Sequence, residues 1–151
     1  MQAHEMMIKE VFKVREKDSV RSVIKGFIEH RISGMPVVND QDEMVGYVSD
    51  GDIMRHIGKH KDFYVDSLYT VTVVQGDQVE FDERIKKILD LHVMEVAKRK
   101  VIRVEWDVKS EDIAAILGKK QIKKLPVEQD GVLVGIISRG DVIRRTFASI
   151  L

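Results

Sequence analysis

Early in the chain, apolar positions first recur at helical spacing and then form two short β-rich runs. From Val20 to Ile32, apolar residues recur three and four positions apart, which is typical of a helix with one buried face. The runs MPVV at 35–38 and MVGYVS at 44–49 are β-rich, and residues 39–43 between them are turn formers. The pattern therefore predicts a helix, a hairpin and then a second helix from Asp52 to about Ile57.

The same pattern returns in the second half of the chain. Val14 aligns with Val104 and Pro36 with Pro126 at an offset of 90, and Ser49 aligns with Ser138 at an offset of 89 because the first turn holds one extra residue. The second copy predicts these elements: a helix over 110–122, strands LPV and VLVGIIS joined through Asp130-Gly131, and a helix from Asp141 to about Ser149. Short strands at Phe12–Val14 and Val101–Val104 complete the order β-α-β-β-α in both copies.

The stretch between the copies also has regular patterning. TVTVV at 70–74 predicts a strand, and Glu83 to Ala97 predicts an amphipathic helix whose inward residues are Ile85, Ile88, Leu89 and Val93. We interpret 61–95 as an inserted segment packed against a pair of repeats. The sequence thus predicts an α+β fold, with repeat 1 over 7–60, the insertion over 61–95 and repeat 2 over 96–149, the repeats packed as a pseudo-two-fold pair.

Composition excludes several classes of protein. The chain has 151 residues, 44% of them hydrophobic and 33% charged, which indicates a soluble globular protein with a real core. Its formal net charge is zero, so the broad positive field of a nucleic-acid binder is missing, and no apolar run approaches the roughly 20 residues of a membrane span. There is no Cys, and MQAHEMMIKEV lacks the features of a signal peptide. We expect a cytoplasmic protein that binds neither nucleic acid nor membrane.

Each predicted hairpin is followed by the pattern Ser-x-Gly-Asp. Ser followed three residues later by an acid is a capping box, which accounts for Ser49 with Asp52 and for Ser138 with Asp141. It does not account for Gly51 and Gly140, each of which costs up to about 1 kcal/mol of helix propensity relative to Ala.

Close approach of a ligand is a second explanation for the glycines. A helix start carries free N–H groups and a dipole that favour phosphate, whereas the neighbouring Asp repels phosphate and suits the hydroxyls of a ribose. The residues alone leave both interpretations open, a structural cap or a nucleotide site.

GYVSDGD after MPVV, and GIISRGD after LPV, resemble the repeat of the CBS (cystathionine-β-synthase) domain family. The resemblance covers 7–57 and 97–147 and implies two repeats with two clefts for adenosine compounds such as AMP, ADP, ATP or S-adenosylmethionine. It implies ribose contacts at Asp52 and Asp141, phosphate contacts near Ser49 and Ser138, and backbone contacts to adenine at Ser33, Gly34 and Met35 and at Lys123, Lys124 and Leu125. It also implies a homodimer and an unknown regulated protein, while the connection between these repeats is longer than is usual in the family.

The two motifs differ in charge. The second has Arg139 and Arg145 where the first has Asp50 and His56, and Lys123 and Lys124 where the first has Ser33 and Gly34. Phosphate is therefore expected to prefer the second motif, with Arg139 as a ligand contact.

No P-loop, dinucleotide fingerprint or nucleophile with a paired base is present, so we expect no enzymatic activity, no metal site and no required cofactor. The predicted function is a regulatory module that binds an adenosine nucleotide between its repeats and passes the occupancy to a partner. The alternative is a structural or protein-interaction module without a small ligand.

Overall fold

The structure, a computed structural model, describes residues 1–59, 63–66, 71–74, 80–119 and 121–151. In chain order its elements are α1 (Ala3–Met6), β1 (Val14–Arg15), α2 (Val20–His30), β2 (Gly34–Val38), β3 (Met44–Ser49), α3 (Asp50–Ile57), β4 (Phe63–Asp66), β5 (Val71–Val74), α4 (Phe81–Ile88), a 3₁₀ turn (Val93–Glu95), β6 (Val104–Glu105), α5 (Ser110–Lys119), β7 (Lys124–Gln129), β8 (Val132–Ser138) and α6 (Arg139–Phe147).

Each repeat forms its own three-stranded sheet with helices packed on it. The strand orders are β1-β2-β3 and β6-β7-β8, and in each sheet the first pair is parallel and the second antiparallel. The predicted α+β class and the repeated order β-α-β-β-α are confirmed. The two short strands are shifted, however: β1 and β6 share only Val14 and Val104 with the predicted ranges.

Helix α2 matches its prediction but ends two residues early. Arg31, at its C-cap, has φ 51°, a left-handed conformation that stops the helix. The first turn of α2 is capped by backbone carbonyls that are distant in sequence. The Val20 N–H donates to the Leu91 carbonyl at 2.8 Å, and the Arg21 N–H donates to the Leu89 carbonyl at 3.2 Å. Residues near 90 are thereby fixed to the first repeat.

The predicted helix over Glu83–Ala97 is wrong beyond Ile88. Helix α4 covers Phe81–Ile88, and the chain then turns before the short 3₁₀ segment. The turn leaves the backbone carbonyls of Leu89 and Leu91 available to accept hydrogen bonds from the first turn of α2. The Val93 N–H also donates to the Asp18 carbonyl at 2.9 Å. An uninterrupted helix would have used those groups internally, which the apolar spacing alone could not reveal.

The inserted segment contacts the first repeat through α4. Arg84 Nε donates to the Ile57 carbonyl at 3.0 Å, and the side chain of Ile88 is buried in the core of the first repeat. The predicted strand at 70–74 corresponds to β5, with Thr70 outside the described residues, and β5 pairs antiparallel with β4, which the pattern did not predict.

The first segment of the chain completes the second repeat. The Ala3 N–H donates to the Val108 carbonyl at 2.8 Å, and Ile8 pairs with Ile136 at the edge of β8. Ala3 and Met6 are both buried in the core of the second repeat. Helix α1 is only four residues long, too short to give a periodic signal in the sequence.

The segment before the second repeat makes the corresponding contact with the first repeat. Val93 and Val96 are buried in the first core, and Lys98 pairs with Tyr47 at the edge of β3. Each repeat is therefore completed by the initial segment of the other, so the two halves form one interlocked unit.

The repeats meet at their hairpins. Glu43 pairs with Val132, and the Leu133 N–H donates to the Asp42 carbonyl at 3.0 Å. Each motif that follows a hairpin lies at the opposite end of its strands from this junction.

Candidate functional site

Ser49 and Asp52 form a reciprocal capping box at the start of α3. The Asp52 N–H donates to Ser49 Oγ at 3.3 Å, while Asp52 Oδ2 accepts from the Ser49 N–H at 2.9 Å and from its hydroxyl at 3.1 Å. The second carboxylate oxygen, Oδ1, accepts from the Arg55 guanidinium. Asp52 is buried, so Arg55 and Ser49 together compensate its charge.

Ser138 and Asp141 repeat the arrangement at the start of α6. The Asp141 N–H donates to Ser138 Oγ at 3.1 Å, and Asp141 Oδ2 accepts from both the N–H and the hydroxyl of Ser138 at 2.8 Å. Arg144 Nη2 donates to Asp141 Oδ1 at 2.8 Å. The capping-box interpretation is confirmed in both repeats.

The electrostatics of Asp141 reflect two opposing effects. Burial raises the pKa of the carboxyl, whereas hydrogen bonds from Ser138 and the charge of Arg144 lower it. The hydrogen bonds and the Arg144 charge together outweigh burial, so the pKa of Asp141 lies below its ordinary value and the carboxyl is ionised. A negatively charged acceptor is therefore fixed at the helix start.

The arginine of the motif comes close enough to crowd a Cβ atom at Gly140, whereas at Gly51 it leaves ordinary contact distance. A Cβ atom on Gly140 would lie 3.0 Å from Arg144 Nη1, and one on Gly51 would lie 3.5 Å from the corresponding atom of Arg55. The guanidinium groups thus pass over the glycines to reach the carboxylates. The sequence signal for this pairing is the repeated Asp-to-Arg spacing of three, which places both residues on one helix face.

The predicted adenine-contact segments lie beside the motifs. Gly34 pairs with Ser49 across β2 and β3, and the Asp50 N–H donates to the Ser33 carbonyl at 2.8 Å. Lys124 pairs with Ser138 in the same way across β7 and β8. Each half of the predicted site is therefore brought together within its repeat.

Met35 and Leu125 differ from the other predicted contacts. Their side chains are buried in the two separate hydrophobic cores, so only their backbone groups are available to a ligand. Backbone contacts to adenine at these two residues stay a prediction.

The surroundings of the two motifs differ in charge in the folded chain. Lys123, Arg139 and Arg145 are exposed near the second motif, as are Ser33 and His56 near the first. At the start of α3, Asp50 Oδ1 accepts from the Gly51 N–H at 2.8 Å, so an acidic side chain already occupies that helix start.

A surface cleft of about 340 Å³ borders the first repeat. It lies between the segment around Phe12 and helix α2, and Met35 is the predicted contact residue that lines it. Phe12 stacks on His30 at the rim, with ring centroids 3.8 Å apart. The other predicted contacts lie outside this cleft.

Two further observations concern the part of the chain that the structure describes. No helix there is long and apolar enough to cross a membrane. No group of three or more His, Asp or Glu side chains there is arranged to hold a metal ion.

Comparison with known proteins agrees with the repeat. The model of the CBS domain matches residues 3–59 and 93–147. The chain belongs to the CBS domain family. Both matches begin at the segments that complete the opposite repeat, residues Ala3 and Val93.

Relatives of this CBS pair include both short and longer proteins. Uncharacterised protein MJ1426 of Methanocaldococcus jannaschii is 35% identical, and the alignment covers 91% of this chain and 89% of that protein. CBSX1, a chloroplastic CBS-domain protein of Arabidopsis thaliana, is 31% identical over 87% of this chain and 57% of its own length.

Solved structures share the CBS-pair fold. CBSX2 of Arabidopsis thaliana superposes with a TM-score of 0.75 at 24% identity, covering 98% of this chain and 95% of that one. CBSX2 crystallised in complex with AMP gives a TM-score of 0.73, also at 24% identity, covering 98% and 97% of the two chains. These similarities establish the fold.

Proposed function

We propose that this chain is a regulatory module that binds an adenosine nucleotide, such as AMP, ADP, ATP or S-adenosylmethionine, and passes its occupancy to a partner protein. The observation that carries the proposal is the duplicated Ser–Asp–Arg arrangement at a helix start, beside the first residues of a strand. CBSX2, which has the same fold, has been crystallised with AMP, and this supports the choice of ligand class.

Chemistry at the second motif fits a nucleotide in three ways. The start of α6 supplies a dipole and N–H groups that favour phosphate. Exposed Lys123 and Arg139 add positive charge. The ionised Asp141 carboxylate can accept hydrogen bonds from the hydroxyls of ribose.

Binding would exchange partners at Asp141. Its Oδ2 atom stays with Ser138 and keeps the helix capped, while a ribose hydroxyl replaces Arg144 at Oδ1. The side chain of Arg144 is 70% exposed, so its released guanidinium is free to turn towards the phosphate. Ribose and phosphate recognition are thereby linked through one ion pair.

The regulatory effect follows from linkage. A nucleotide that binds the closed pair better than a more open one shifts the population towards the closed pair, and only that difference in affinity can do so. At a free concentration of 100 times its Kd, such a ligand stabilises the folded chain by about 2.7 kcal/mol. We assign no catalytic residue and no required cofactor.

Self-association into a homodimer is part of the proposal. Met54 on α3 and Ile143 on α6 occupy equivalent positions of the two repeats and are 59% and 58% exposed. Covering both in a symmetric contact would remove apolar area from water. Light scattering on the double variant Met54→Asp with Ile143→Asp tests this, since a dimer formed here becomes monomeric and one formed elsewhere persists.

A structural or protein-interaction module without a ligand is the second candidate. Both carboxylate oxygens of Asp52 and of Asp141 already accept hydrogen bonds within their own helix starts, and this favours the second candidate. Under this candidate the two motifs only cap helices.

Thermal unfolding with a ligand panel separates the two candidates. The panel is AMP, ADP, ATP, S-adenosylmethionine, GTP and NAD, applied to the wild type, to Asp141→Asn and to the control Asp112→Asn on the exposed face of α5. The proposal predicts an adenosine-specific rise in Tm that Asp141→Asn loses and Asp112→Asn keeps. Equal Tm values with and without every ligand would instead support the structural module.

A further inference from the structure

The side chain of Tyr47 fills the space beside Gly34 in the first repeat. Tyr47 pairs with Pro36 and Gly34 pairs with Ser49, so all four residues lie on one face of the sheet and Tyr47 is the diagonal neighbour of Gly34. A Cβ atom on Gly34 would lie 2.5 Å from the Tyr47 hydroxyl and 2.8 Å from its ring. The ring therefore rests on the backbone of Gly34, where the adenine-contact segment passes the motif.

An acidic side chain occupies the helix start next to this ring. Asp50 Oδ1 accepts from the Gly51 N–H at 2.8 Å, which removes one of the donors that a phosphate would use. The nearby Asp50 charge adds to the effect of burial in raising the pKa of Tyr47 to about 12, so the hydroxyl stays protonated. Both the polar and the apolar parts of the first site are thus occupied by its own side chains.

The second repeat lacks the tyrosine, the glycine beneath its ring and the acidic side chain at the helix start. Lys124 stands in the place of Gly34, Ile136 in the place of Tyr47 and Arg139 in the place of Asp50. An Ile side chain is shorter than Tyr and coexists with the Cβ of Lys124, and Arg139 brings positive charge where Asp50 brings negative. A phosphate is therefore attracted to the helix start of the second repeat and repelled from the helix start of the first.

We infer that the chain binds one adenosine nucleotide, at the motif of the second repeat, and that Tyr47 and Asp50 keep the corresponding site of the first repeat permanently closed. This inference rests on the proposed function, because it names which of the two equivalent sites works.

Calorimetric titration of the purified chain with AMP tests the inference. The wild type is expected to bind one AMP per chain. The double variant Tyr47→Ile with Asp50→Arg gives the first repeat the residues of the second at these positions, and it is expected to bind two. Tyr47→Phe is the matched control, because it keeps the ring over Gly34 and is expected to bind one.

Each outcome can be separated from failure of the proposed function. Two AMP molecules on the wild type, or one on a double variant that circular dichroism finds folded, would overturn the inference while the nucleotide function stands. Absence of heat from every variant, with AMP and then with ADP, ATP and S-adenosylmethionine, would overturn the nucleotide function itself, and the inference with it. One molecule on the wild type and the control, with two on the double variant, would support both.

Discussion

Arg103 of the second repeat donates from Nη1 to the Met44 carbonyl of the first repeat at 3.0 Å. The same nitrogen lies 2.9 Å from Glu128 Oε1, and Glu128 is 8% exposed. One guanidinium therefore joins the hairpin of one repeat to an almost buried carboxylate of the other.

Loss of this link is expected to destabilise the folded pair. Arg103→Ala leaves the Glu128 carboxylate without its cation, and we expect a loss of about 1 kcal/mol in the free energy of unfolding, a modest value because Arg103 is partly exposed. Urea unfolding measures it, with exposed Arg99→Ala as the control. Equal losses in the two variants would mean that the link does not hold the repeats together.

Removal of the Asp141 cap is expected to cost stability even without nucleotide. Asp141→Ala takes away the acceptor for Ser138 and Arg144, and loss of a capping interaction costs about 0.5–2 kcal/mol. Urea unfolding in nucleotide-free buffer checks this against Asp112→Ala. A stability equal to that of the control would indicate that the capping box contributes nothing.

The lowered pKa of Asp141 predicts how stability depends on pH. Because the folded pKa lies below the ordinary value of 3.8, the contribution of this carboxylate is fully present above that value and is lost as pH falls through the folded pKa. The difference in unfolding free energy between wild type and Asp141→Asn should therefore be constant near neutral pH and shrink in acid. A difference that grows as pH falls would contradict the assigned direction.

Tyr47 should be identifiable by its ionisation. Its pKa of about 12, against an ordinary 10.0, means that the unfolded chain loses this proton first, so stability falls as pH rises from 10 towards 12. A titration of phenolate absorbance should contain a late step that Tyr47→Phe lacks. Identical late steps in both proteins would assign that step to another tyrosine.

Met6 should contribute to the stability of the second repeat despite its position near the start of the chain. Its side chain is 1% exposed within that core, and Met→Ala changes in cores cost about 2–5 kcal/mol. Exposed Lys9→Ala, in the same segment, is the control for urea unfolding. A small loss for Met6→Ala would mean that the segment is only loosely attached.

The sequence was sufficient for the elements whose signals are local. Val20, Val23 and Phe27 mark one face of α2 by spacing alone, and the Asp130-Gly131 pair marks the turn that the structure places between β7 and β8. Ser138 and Asp141 were also identifiable, because a capping box lies within four consecutive residues.

Long-range relationships were not predictable in the same way. Helix α4 ends where the carbonyls of Leu89 and Leu91 accept backbone hydrogen bonds from α2. The apolar spacing of the sequence does not indicate such long-range bonds. The position of Tyr47 over Gly34 requires the register of β2 against β3, which only the folded sheet supplies. Arg144 recurs in register with Arg55 in the sequence, but its pairing with Asp141 depends on a rotamer.

The interlocked initial segments have a consequence for how such a chain could have arisen. A single copy ending before the second one would lack the buried side chains that Val93 and Val96 contribute to its core. Two identical single copies could repair this deficit by trading their initial segments, as Ala3 and Val93 now do within one polypeptide. The topology is therefore that of an intertwined dimer of repeats held within one polypeptide.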